Sequence, residues 1–237
     1  MEKIEFLKLI DENENIFQTG DYKKAQKFLQ DLEGVFAKHF GVPSCPVFIE
    51  EIKPTHTSFG RTPPACFTCS YHKKSFNKSN KETKILLNMD ITQTYTYIKI
   101  VKLLMHEWMH YLSHYHLHIK PCEKIPEKYL QYVNLADNVK DLHIEKLENK
   151  HLAQALQKLS PSEFVADLFA RDILRFIGTQ SKNIDLRQDA QDKIAREEDM
   201  QLKFLKNINK ICKTNYKTAL EIEFEKIVKE RKNVKTT

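Results

Sequence analysis

Glycine is scarce in this sequence, with 5 residues among 237, and this scarcity favours long helices over an all-β design. Long apolar runs are missing as well, so the sequence predicts no membrane-spanning helix. Residues 1–6 are acidic and alternate between polar and apolar, unlike a secretory signal. We therefore expect a cytoplasmic protein with one sizeable core and no membrane segment.

Cysteine is sparse too, and its number is odd. The five residues are dispersed as Cys45, Cys66, Cys69, Cys122 and Cys212. They do not form a disulfide framework. Cys66 and Cys69 form a CxxC pair with His72 close behind, which is half of a structural zinc site, but no second CxxC completes it. We interpret the pair as strand residues, and a second metal is the weaker alternative.

The most informative motif is His106-Glu107-Trp108-Met109-His110. A helix places its two histidines one turn apart, so both imidazoles can bind one zinc ion while Glu107 takes a proton from a coordinated water. The motif lies in a segment, residues 95–112, whose apolar residues recur at helical spacing. The histidines fall beside this apolar stripe, which puts them on the wall of a cleft. The sequence therefore predicts a hydrolase with one catalytic Zn²⁺.

A catalytic zinc usually takes three protein ligands, and Glu163 is the favoured third. It lies in the first turn of a predicted helix that has Ser160 as its N-cap and Pro161 at the first helical position. The same position suits a capping box, in which Glu163 bonds back to the Ser160 amide. Asp167 favours metal binding by Glu163 over the capping box. It lies one turn after Glu163 on the same helix face, where it can accept the free N–H of a ligating histidine.

His116 is the alternative third ligand. Its spacing from His106 matches the HExxHxxGxxH motif of metzincins, except that Ser113 stands at the glycine position. Serine adopts the positive φ required there poorly. The downstream Met200 stands in a charged, helix-like stretch and not in a tight turn. We therefore rank Glu163 ahead of His116.

The two motifs, His106-Glu107-x-x-His110 and Glu163-x-x-Ala166-Asp167, together resemble the gluzincin branch of the zincin metallopeptidases. They resemble the ImmA/IrrE-type peptidases loosely. The resemblance covers two helices and implies hydrolysis of protein or peptide substrates, with Glu107 as general base. In that family a strand antiparallel to the bound peptide precedes HExxH, and residues 85–89 match that strand by position.

No motif marks the group that would polarise the substrate carbonyl. Tyr129, Tyr132 and His143, from the stretch between the two motifs, are candidate oxyanion donors. Two other classes of function stay open. One is a zinc-stabilised binding protein without catalysis, and the other is a hydrolase of bonds other than peptides, since HExxH specifies an activated water and not its target.

Periodicity predicts an α+β, zincin-like fold: a small mixed sheet with an active-site helix, followed by a mainly helical C-terminal half. Predicted strands lie at residues 47–49, 66–71 and 85–87. Predicted helices lie at residues 21–40, 95–116, 126–158, 161–176 and 185–232. We divide the chain into a metallopeptidase domain, residues 1–180, and a basic helical extension, residues 181–237.

The net charge of +6 is concentrated near the C-terminus. A basic helix can bind nucleic acid, but little aromatic interleaving accompanies these lysines, so a solvated helix face is the preferred interpretation. Nucleic-acid binding is the minority alternative. The sequence predicts no oligomeric state.

Overall fold

The computed structural model describes residues 3–52, 63–68, 83–138 and 161–197. The first half contains helix α1 (Lys3–Glu12), a 3₁₀ turn (Ile16–Thr19), helix α2 (Tyr22–Phe40) and strands β1 (Val47–Glu50), β2 (Ala65–Thr68) and β3 (Lys84–Asn88). The second half contains helices α3 (Met89–Thr94), α4 (Tyr97–His118), α5 (Glu127–Asn138), α6 (Pro161–Gln180) and α7 (residues 184–197). The described part is therefore a mixed α+β structure in which helix predominates, which confirms the predicted fold class at that level.

Local sequence explains where α2 begins and ends. The Asp21 carboxylate accepts a hydrogen bond from the Lys24 amide at 3.1 Å, which caps the first turn. Gly41 adopts φ 70°, a left-handed conformation that costs glycine little, and donates its amide to the Ala37 carbonyl. The predicted helix over residues 21–40 is confirmed almost residue for residue.

The sheet has the strand order β1-β3-β2, so β3 lies in the middle. It pairs parallel with β1, with Val47 opposite Ile85, and antiparallel with β2, with Cys66 opposite Leu86. The expectation that substrate adds along residues 85–89 is therefore wrong. Both edges of β3 are already hydrogen-bonded to neighbouring strands, and Met89 begins α3.

Helix α4 lies at the centre of the core and packs most extensively against α6. Trp108 is fully buried and stacks on Phe169 of α6, with ring centroids 5.7 Å apart. The same indole contacts Phe36 and Phe40 of α2 at 5.4 and 5.3 Å. This aromatic cluster joins α2, α4 and α6 through apolar surface on the side of α4 that carries Trp108.

Helix α7 packs on the same core, since Leu186 and Ala190 are buried members of it. The Gln191 side chain also donates to the Gly178 carbonyl at 2.8 Å. Residues 198–237, which carry most of the basic charge of the proposed extension, lie outside the described residues, and a boundary at residue 181 stays a prediction. Of the helices that the structure describes, none has the length and apolar character that crossing a bilayer requires.

Candidate metal centre

Helices α4 and α6 bring the two sequence motifs together. His106 and His110 lie one turn apart on α4, and Glu163 lies in the first turn of α6. The two Nε2 atoms are 3.1 Å apart. Glu163 Oε2 lies 3.3 Å from His106 Nε2, and Glu163 Oε1 lies 3.5 Å from His110 Nε2. These three side chains could hold a metal ion.

The spacing of these donor atoms fits a small tetrahedral cation. Two ligand atoms on a tetrahedral zinc at about 2.0–2.1 Å lie about 3.3–3.4 Å from each other. The three separations of 3.1, 3.3 and 3.5 Å bracket that value. Two imidazoles with one carboxylate are also a donor set found in catalytic zinc sites.

Both histidines have a partner for the ring nitrogen that faces away from Glu163. His106 Nδ1 lies 3.0 Å from Asp167 Oδ1, and His110 Nδ1 lies 3.1 Å from Ser162 Oγ. An Nδ1–H that donates to these oxygens leaves an unprotonated Nε2 on each ring. The two Nε2 lone pairs then point at one region together with the Glu163 carboxylate, an arrangement that needs a cation, either a proton or a metal.

Glu107 lies next to His106 on α4 and is largely buried, with 8% of its surface exposed. Its Oε2 accepts a hydrogen bond from the Phe67 amide of β2 at 2.7 Å. This contact joins α4 to β2. Of the strands that the structure describes, the one that contacts Glu107 is thus the outer β2 and not the central β3.

The charged groups of the candidate site stabilise one another in their ionised forms. Burial disfavours the protonated form of His106, but hydrogen bonds to Asp167 and Glu163 outweigh it and raise the pKa of His106 to about 10. Burial likewise opposes ionisation of Glu163 and Asp167, yet His106 and His110 hold the pKa of Glu163, and His106 and Lys102 hold that of Asp167, well below the ordinary range. The protein groups alone therefore place two carboxylates around a protonated imidazole, where a divalent cation could replace the proton.

His116 lies away from this cluster. Helix α4 continues unbroken to His118, and Ser113 donates its hydroxyl to the Met109 carbonyl within it. The chain therefore makes no turn that would bring His116 back toward His106. Instead, His116 Nδ1 accepts a hydrogen bond from the Cys122 amide at 2.9 Å.

The two oxyanion candidates that the structure describes, Tyr129 and Tyr132, make different contacts. The Tyr129 hydroxyl donates to Asp172 Oδ2 at 2.6 Å, and the residue is 5% exposed, so it belongs to the contact between α5 and α6. The Tyr132 ring packs against Phe164, next to Glu163, with centroids 4.5 Å apart. His143 lies outside the described residues.

Of the CxxC pair, the structure describes Cys66 alone. Cys66 is a half-buried residue of β2, in line with the predicted strand, and burial raises the pKa of its thiol to about 11. Cys69 and His72 lie outside the described residues, as does Ser160 of the alternative capping box.

Two residues of the site were not predicted. They are Ser162, which contacts His110, and Lys102, which contacts Asp167. Lys102 precedes His106 by four residues, and Ser162 directly precedes Glu163. Helical spacing would have placed Lys102 on the histidine face, but the packing of α4 on α6 decides which polar neighbours of the ligands face the site.

Models of protein families, curated proteins and solved structures were compared with this chain, and none of them matches it.

Proposed function

We propose that this chain is a zinc-dependent metallopeptidase of the gluzincin type. The observation that carries the proposal is the convergence of His106, His110 and Glu163 at separations of 3.1 to 3.5 Å, with Glu107 beside them on the same helix. Asp167 and Ser162 add support, because each lies within hydrogen-bonding distance of the Nδ1 atom of one histidine. A cytoplasmic location stays a prediction.

Zn²⁺ bound by these three side chains would supply a Lewis acid that activates water and polarises a carbonyl. Glu107 accepts the proton of the attacking water and delivers it to the leaving amine nitrogen. The Phe67 amide fixes Glu107 Oε2, so Oε1 is the oxygen that we assign to this proton transfer. Asp167 and Ser162 keep each imidazole in the tautomer whose Nε2 can bind metal.

We assign the peptide substrate to the outer edge of β2. The Asn88 amide donates to the Pro64 carbonyl, so the alternation of an antiparallel ladder turns the main-chain groups of Cys66 toward β3 and those of Ala65 and Phe67 away from it. An extended peptide could pair on this edge with the main-chain groups of Ala65 and the Phe67 carbonyl, since the Phe67 amide already donates to Glu107. The proposed docking edge is thus that of β2, in place of residues 85–89.

Zinc content tests the centre itself. Wild-type protein, Glu163→Ala and His116→Ala are purified in parallel, and the zinc per chain is measured by elemental analysis after dialysis against metal-free buffer. We expect one zinc in the wild type, one in His116→Ala and nearly none in Glu163→Ala, because Glu163 lies against both Nε2 atoms whereas His116 contacts the Cys122 amide. Retained helical content by circular dichroism controls for misfolding. A wild-type chain that takes up no zinc overturns the proposal.

Catalysis is tested by Glu107→Gln, which keeps the shape of the side chain but removes the base. We expect zinc content to stay at one per chain while cleavage of a denatured protein panel falls about 10²- to 10⁴-fold. Full activity in this variant excludes Glu107 as general base. Zinc binding without zinc-dependent cleavage of any panel member would favour the alternative of a zinc-stabilised binding protein or of a hydrolase acting on other bonds.

A further inference from the structure

Lys102 carries a buried positive charge behind the candidate ligands. It lies one turn before His106 on α4, and its side chain is 15% exposed. Its Nζ lies 3.4 Å from Asp167 Oδ1, the same oxygen that contacts His106 Nδ1 at 3.0 Å. One carboxylate oxygen therefore joins the ammonium group to the imidazole.

Glu197 of α7 completes this arrangement. Its Oε1 lies 3.0 Å from Lys102 Nζ and 2.9 Å from Lys193 Nζ, and its side chain is 9% exposed. Burial disfavours the charged ammonium, but Asp167 and Glu197 outweigh burial and raise the pKa of Lys102, so it stays protonated. A low-exposure ion pair of this kind has a more fixed geometry than the exposed pairs on the helix surfaces.

We propose that Lys102 and Glu197 are positioning residues of the metal centre, through which helix α7 holds Asp167 against His106. Asp167 is partly exposed, at 26%, and among the residues that the structure describes, its carboxylate contacts His106 and Lys102, so that removing Lys102 leaves the His106 contact to oppose its rotation into solvent. Glu197 fixes Lys102 from the opposite side. This inference rests on the metal site of the proposed function, but not on peptide hydrolysis.

The two residues are best removed together. Lys102→Met alone would also remove a positive charge near a divalent cation, and this electrostatic gain opposes any loss of positioning. The double variant Lys102→Met/Glu197→Gln removes one charge of each sign, so the net charge around the site is unchanged. A matched control is Lys27→Met/Asp31→Asn, which removes an exposed pair on α2 with a 2.8 Å contact.

The readout is zinc affinity, measured by competition with a chromophoric chelator, together with the visible absorption of the Co²⁺-substituted protein. We expect the double variant to bind zinc about three- to tenfold more weakly and to show an altered cobalt spectrum, since partners of ligating histidines tune both. The α2 control should match the wild type. In an Asp167→Asn background the same double substitution should have no further effect, because the pair acts through Asp167.

Wild-type affinity in the double variant overturns the inference, and so does an equal loss in the Asp167→Asn background. Should the double variant fail to fold, Glu197→Gln alone leaves Lys102 and Asp167 in place, and we expect it to weaken zinc binding about twofold; unchanged affinity there also overturns the inference. A wild-type chain that binds no zinc overturns the proposed metal site as well. A chain that binds zinc but cleaves no peptide leaves this inference standing.

Discussion

Two groups of carboxylates, one buried and one partly buried, contact α4, and they differ in what donates to them. Glu33 of α2 is fully buried and accepts hydrogen bonds from the Cys45 amide at 2.8 Å and from Trp108 Nε1 at 3.2 Å. Ser44 and Gln30 donate to its other oxygen. All four donors are neutral. Glu163 and Asp167, by contrast, face imidazoles and an ammonium group.

The pKa values separate the two groups in the same way. Burial raises the pKa of Glu33, and its neutral donors only partly oppose that effect. Burial acts in the same direction on the pKa of Glu163 and Asp167, but the histidines, and for Asp167 also Lys102, reverse it. A carboxylate satisfied by neutral donors ties elements together and needs no cation. Carboxylates that converge with two imidazole nitrogens need a proton or a metal ion, and this difference separates the structural cluster from the candidate metal centre.

The largest effect on stability should come from the structural cluster. Glu33→Ala leaves the Cys45 amide and the Trp108 indole N–H without their acceptor and opens a cavity, so we expect the free energy of unfolding to fall by about 2–4 kcal/mol. Urea denaturation of the zinc-free protein measures this change. Asp31→Ala, an exposed residue of the same helix, should change it by less than about 0.5 kcal/mol.

The folded Glu33→Ala protein should still bind one zinc with wild-type affinity, because Glu33 contacts α4 through Trp108 and not through the histidines. Loss of zinc in a variant that is demonstrably folded would show that the two clusters are one coupled unit, and the comparison would fail.

The pH dependence of zinc binding should come from the candidate metal centre, and from His106 in particular. His106 is protonated at neutral pH, because its pKa is raised to about 10, and zinc requires the neutral imidazole. Raising the pH therefore removes a competitor, and apparent affinity should rise by up to about tenfold per unit between about pH 6 and pH 8. Glu163 adds nothing in this range, since its lowered pKa keeps it ionised throughout.

Calorimetry in buffers of different ionisation enthalpy checks this expectation, because about one proton should leave the protein for each zinc bound. The chelator competition must be corrected for the protonation of the chelator itself. An affinity that does not change with pH, with no proton released, would mean that His106 is neutral before the metal arrives.

Local periodicity was enough to predict the two site helices. The spacing of His106 and His110, and that of Glu163 and Asp167, each reports one face of one helix, and such spacing is a local property. The predicted ends of α2 and α4 also lie within two residues of the observed ones. Helix α1 was not predicted, because it is short and Phe6 and Ile10 are its only fully buried residues in the core.

Long-range packing explains what the sequence could not predict. Which strand occupies the middle of the sheet depends on pairings between residues 47–50, 65–68 and 84–88, and each of those segments has the same apolar pattern. The contacts of Ser162 and Lys102 depend likewise on how α6 rotates against α4. The rank of Glu163 over His116 could be argued locally, because serine at position 113 lets the helix continue.

The smallest effect concerns Ser162, whose hydroxyl lies 3.1 Å from His110 Nδ1. Ser162→Ala removes that partner but leaves both histidines, Glu163 and Asp167 in place, so we expect zinc affinity to fall by no more than about tenfold. Ser113→Ala is the matched control, because the bond that Ser113 makes in the described part of the chain goes to the Met109 carbonyl of α4, and its loss should leave affinity unchanged. Chelator competition distinguishes the two variants. Equal zinc affinities of the two variants would mean that the contact between Ser162 and His110 has no specific role. The geometry of the centre would then depend on the partners of His106 alone.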